Sequence, residues 1–74
     1  MILSSRTNQI LLVSQKAELT EYRIYRKLAA SEKNHGNRET LQRIADEEYR
    51  HYHIWRSYTG VDVKPNHFAV LFYY

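Results

Sequence analysis

Three residues punctuate this chain and constrain its fold more than any other feature: Gly36, Gly60 and Pro65 are its only helix breakers. Residues 5–33 run without interruption, and apolar side chains recur at Ile10, Leu11, Ala17, Tyr25, Leu28 and Ala29 at helical intervals. The spacing predicts a first helix over about 5–33, capped by Ser4 or Ser5. Asn34-His35-Gly36-Asn37 reads as the stop, with Gly36 in the left-handed conformation that closes a helix and His35 as a loop residue. Asn37 then caps a second helix over about 38–59, with Glu39 in its first turn. That helix carries Leu41, Ile44, Ala45, Tyr52, Trp55 and Tyr58 and ends at Thr59-Gly60. A connection of about four residues makes the two helices an antiparallel hairpin. Residues 61–64 form an extended linker ahead of Pro65, and Asn66 caps a new start over about 67–74. This last stretch is the most apolar of the chain and reads as the beginning of a third helix, with a strand as the alternative. The fold class expected is all-α.

Seventy-four residues make one small domain that buries a modest fraction of its surface alone. With no cysteine, disulfides are excluded as a staple, which leaves a metal or a partner subunit. The absence of cysteine also fits a reducing compartment, and a cytoplasmic location is expected. The net charge of +3 raises the question of an anionic partner, but the eleven Lys and Arg residues are scattered rather than clustered. They read as solvated helix faces, so no nucleic acid is expected. The start lacks the basic and apolar regions of a signal peptide, and no segment reaches the roughly 20 apolar residues that span a bilayer.

The chemistry lies on the apolar faces. On a wheel of about 100° per residue, Leu11, Tyr22, Tyr25 and Ala29 fall within about 40° of Glu18. Glu21 lies about 60° away, and Lys16, Arg23 and Lys27 occupy the opposite side. On the second helix Leu41, Ile44, Tyr52 and Trp55 cluster around Glu48, and His51 shares that face. Buried carboxylates need compensation, and a cation turns clustered oxygens and a neutral imidazole into a binding site. Residues at i and i+3 lie side by side, so Glu48 and His51 can grip one metal while the carboxylate bridges to a second. Counted from the loop, Glu18 stands at about 24 Å, His51 at about 21 Å and Glu48 at about 16 Å, within reach of one centre. Glu18, Glu48 and His51 are therefore the expected ligands. Glu21, Tyr25 and Glu47 are expected around them, with Tyr25 as a donor and Glu47 in a salt bridge or beside the ligands. His53 points outward with Arg50, and His67 is a surface residue beside a cap. No catalytic residue can be named.

The stretch Gln15-Lys16-Ala17-Glu18-Leu19-Thr20-Glu21-Tyr22-Arg23-Ile24-Tyr25, then Leu28-Ala29, then Arg43-Ile44-Ala45-Asp46-Glu47-Glu48-Tyr49-Arg50-His51-Tyr52 with Trp55, resembles the first two helices of a rubrerythrin-type ferritin-like domain. It is similar in particular to the branch fused to vacuolar-iron-transporter-type membrane domains. The likeness covers about residues 15–74, including Tyr58-Thr59-Gly60 and Lys64-Pro65-Asn66. It implies a binuclear non-haem iron centre with Glu18, placed before Tyr25, and the Glu48-x-x-His51 pair among its ligands. A complete domain of that kind has a second helical pair with its own glutamate and Glu-x-x-His, which is absent here. Two copies of the chain would supply the set, which predicts a homodimer or higher homo-oligomer forming a four-helix bundle. The competing expectation is that the 74 residues are a fragment whose other half completes the site.

The function expected is iron oxidation or reduction of oxygen or peroxide, as a ferroxidase or peroxidase-type oxidoreductase. The alternatives are a non-enzymatic module delivering iron to a transporter and a metal-free helical dimerisation module. Zinc or manganese would accept the same ligands. Without cysteines for a rubredoxin-type centre, a peroxidase cycle would need a separate reductant.

Overall fold

The computed structural model describes residues 4–72 and is all-helical. Two long helices, α1 (Ser5–Ser31) and α2 (His35–Thr59), pack together, and a short third, α3 (His67–Phe72), packs on α1. The last two residues of the expected third helix, 73 and 74, lie outside the described residues. Only three residues separate α1 from α2, so the pair is an antiparallel hairpin, which makes the molecule elongated.

Local chemistry accounts for most of these boundaries. Ser4 caps α1 by accepting a hydrogen bond from the Thr7 amide at 3.1 Å. Gly60 closes α2 in the left-handed conformation, φ 67°, with its amide bonded to the Arg56 carbonyl. Asn66 caps α3 through the Ala69 amide at 3.1 Å, so the helical reading of the tail holds over the strand.

The turn between the long helices differs from expectation. α1 ends at Ser31, and α2 begins at His35 because Asn34, rather than Asn37, is the cap, its side chain accepting from the Asn37 amide at 2.9 Å. Gly36 is therefore a helical residue in the first turn, and among the described residues Gly60 alone has a positive φ. His35 is not in the loop either: it opens α2 and pairs with Glu39 at 3.1 Å, which moves Glu39 beyond the first turn. Two asparagines three apart offer the same capping chemistry, and the earlier one gains a further turn of helix.

The core is thin. Among the described residues, Leu19, Ala29, Ala45 and Tyr52 are the buried apolar side chains, with Gln15 and Thr20 the buried polar ones. Tyr22, Tyr49 and Tyr52 extend the α1–α2 seam as a run of rings, Tyr22 and Tyr49 with centroids 4.5 Å apart. α3 covers the side of α1 that the wheel assigns to charges, and Lys27 reaches the Val70 carbonyl at 3.3 Å. Val13, Ile10, Phe68, Leu71 and Phe72 remain more than half exposed. A compact chain of 8.9 kDa exposes about 4,800 Å², whereas this one exposes 5637 Å². The excess reflects the elongated shape of the hairpin, which leaves much of each long helix uncovered.

Candidate metal centre

Glu18 lies thirteen residues before the end of α1 and Glu48 thirteen after the start of α2, so both stand about 20 Å from the turn. The earlier capping by Asn34 has thus brought Glu48, rather than His51, level with Glu18. His51 sits one turn further out, and the tilt of helical side chains toward their own N-terminus closes that gap from both sides. Its Nδ1 lies 3.5 Å from Glu18 Oε2 and 3.7 Å from Glu48 Oε1.

One ligand atom from each of these residues lies within 4.8 Å of the others, and they form the one such group of metal-ligating side chains among the described residues. All three are partly buried. Glu18 Oε2 and Glu48 Oε2 are shielded from solvent and accept no hydrogen bond, although His51 stands close by. A shielded carboxylate oxygen without a donor is costly, so the group is unfinished as a purely organic cluster. Two carboxylates and an imidazole, with acceptor capacity to spare, fit a divalent first-row metal.

The protonation of the cluster carries the same strain. Burial pushes the Glu48 carboxyl up, and the neighbouring Glu18 adds to the effect, while the protonated Glu21 hydrogen-bonded to it and the nearby His51 oppose it. Glu21 stands at the exposed edge of the cluster, and its carboxyl rises from 4.5 to about 7 chiefly through its hydrogen bond to Glu48, with partial desolvation adding less. Three carboxyl groups, Glu18, Glu21 and Glu48, are thus coupled, the expected response of facing anions, and a bound cation would favour their ionised forms.

Of the surrounding residues named from sequence, Glu21 is the one bonded to a ligand. Tyr25 lines an open groove beside Glu21 and Glu48. Glu47 is exposed and outside the cluster, because its place on the helix wheel turns it away from α1. His53 is exposed and rests edge-on against Tyr49, and His67 is exposed at the start of α3. The groove, about 640 Å³, is lined by Val13, Ala17, Ile24, Leu28 and Ile44 together with Lys16, Thr20, Glu21, Glu48 and Asn66. Trp55, one helical turn beyond His51, keeps its indole N–H shielded and without an acceptor.

The wheel placed Glu18, Glu48 and His51 on the facing sides, but it did not single out Gln15 and Thr20. Both are buried and hydrogen-bonded to the segment after α2, a pairing between distant residues that helical periodicity does not encode. Among the described residues no helix is long and apolar enough to cross a membrane. Compared with known protein families, with curated proteins and with solved structures, the chain finds no match.

Proposed function

We propose that the chain is a helical half-site for non-haem iron, in which Glu18, Glu48 and His51 are ligands. The observation carrying this reading is the meeting of two carboxylates and an imidazole within 4.8 Å, with a shielded, donorless oxygen on each carboxylate. Carboxylate and imidazole donors hold iron in both common oxidation states. When bound, iron supplies electron transfer to oxygen or peroxide, the basis of a ferroxidase or rubrerythrin-like role. The chain's own residues orient the ligands and keep part of the cluster from bulk water.

One hairpin offers a single glutamate and a single Glu-x-x-His, half of what a binuclear bundle uses. A second copy related by a two-fold axis supplies the rest and covers the groove and the surplus surface described above. The assembly proposed is a homodimeric four-helix bundle around two irons.

A metal-free bundle is the second reading. It is favoured by the Glu21 bond to Glu48 and by the 3.5 Å approach of His51 to Glu18, which together offset part of the buried charge. Counting iron per chain in anaerobically reconstituted protein, alongside absolute mass in solution, decides between them. One iron per chain in a dimer is the expected result, and no bound iron at micromolar concentration overturns the proposal. Oxygen consumption then separates oxidation from delivery: binding without turnover identifies a carrier.

A further inference from the structure

Resting on that metal reading, we infer that Gln15 and Thr20 are positioning residues, which strap the segment 59–66 along α1 and so set the direction from which Glu18 meets His51. They are the two buried polar side chains among the described residues, and in sequence they bracket Glu18. Gln15 is fully buried and bonded at both ends: its Nε2 donates to the Val61 carbonyl at 2.5 Å, and its Oε1 accepts from the Thr59 hydroxyl at 2.6 Å. Thr20 Oγ1 accepts from the Asn66 amide at 2.9 Å while donating to the Lys16 carbonyl at 2.8 Å.

The apolar contacts are a weak determinant of register by comparison. Leu19, Ala29, Ala45 and Tyr52 are few, two of them are alanines, and apolar contact is non-directional. A buried amide does not tolerate it. Slipping α1 by one residue shifts it about 1.5 Å and turns it about 100°. Both ends of Gln15 would then be left shielded and unpartnered, the outcome that polar burial penalises most. The same slip would swing Glu18 away from His51. Thr59 lies on α2 with His51, so the Gln15 clasp limits the rotation of both ligand-bearing helices. Groups that orient metal ligands without touching the metal change affinity by about 10–100-fold when removed.

The test is a cobalt(II) titration of the full chain, read by Trp55 fluorescence and by the cobalt d–d bands, at a temperature where circular dichroism shows every variant helical. Thr20→Val and Gln15→Leu are expected to weaken cobalt binding about tenfold or more and to alter the d–d bands, with stoichiometry unchanged. Thr20→Ser keeps the hydroxyl and is expected to restore wild-type affinity. Should Gln15→Leu not fold, the Thr20 pair carries the comparison alone. Affinity within twofold of wild type in the variants, with only the unfolding midpoint lowered, would make the strap purely structural and overturn the inference. Wild-type protein that binds no cobalt overturns the metal reading and this inference together, whereas binding by wild type and variants alike overturns the inference only.

Discussion

His51 Nδ1 lies 3.5 Å from Glu18 Oε2 across the α1–α2 seam, and that oxygen is shielded from solvent with no hydrogen-bond donor. The pair is near enough for an ion pair but makes no hydrogen bond, and in the proposed centre a cation would lie between the two groups.

Removing a ligand should separate metal affinity from stability. Glu48→Ala deletes a shielded, donorless oxygen and is expected to lower iron affinity by more than about tenfold, or about 1.4 kcal/mol. The metal-free protein should lose little stability, because the deleted carboxylate is itself a buried liability. Unchanged iron content, measured colorimetrically, would exclude Glu48 as a ligand.

Metal should stabilise the fold by linkage. At free metal about a hundred times its dissociation constant the gain is about 2.7 kcal/mol, which in a domain this small raises the midpoint by roughly 10–20 °C. Differential scanning calorimetry with and without ferrous iron measures it. His51→Ala should abolish most of the shift, and a full shift in that variant would remove His51 from the site.

The Glu21–Glu48 bond fixes the sign of a pH dependence. The folded Glu21 carboxyl titrates near 7 against an ordinary 4.5, so the folded state holds the proton more tightly than the unfolded chain. Its contribution is fully present below about 4.5 and is lost as pH rises through about 7. The metal-free midpoint should therefore fall across that window, and Glu21→Gln should flatten the slope. Metal affinity should run the opposite way, increasing with pH as the coupled carboxyl groups ionise. A midpoint rising from pH 5 to 7, with no change in Glu21→Gln, would remove the Glu21–Glu48 coupling.

The two glycines should respond to alanine with opposite signs. Gly36 is helical, and a Cβ there would meet Asn34 Oδ1 at an ordinary 3.5 Å, so Gly36→Ala should stabilise by about 0.5–1 kcal/mol. Gly60 has φ 67° with open space around it, so Gly60→Ala should cost about 1–2 kcal/mol from backbone strain alone. Chemical denaturation measures both, and a destabilising Gly36→Ala would mean that α2 starts later than His35.

Much of this protein is written into its sequence. The unbroken, periodically apolar stretches dictate two long helices, and Gly60 and Asn66 mark the end of one helix and the start of another through local backbone chemistry. The same periodicity puts Glu18, Glu48 and His51 on facing sides, because it depends only on residues per turn. The start of α2 was not legible, since Asn34 and Asn37 are equally able caps and the choice depends on how the completed hairpin packs. That choice sets the register, which decided that Glu48, and not His51, stands level with Glu18. Only the tertiary structure pairs Gln15 with Thr59 and Val61, and Glu21 with Glu48. Such bonds join positions that helical repeat leaves unrelated, and they form only once the two helices and the strap have met.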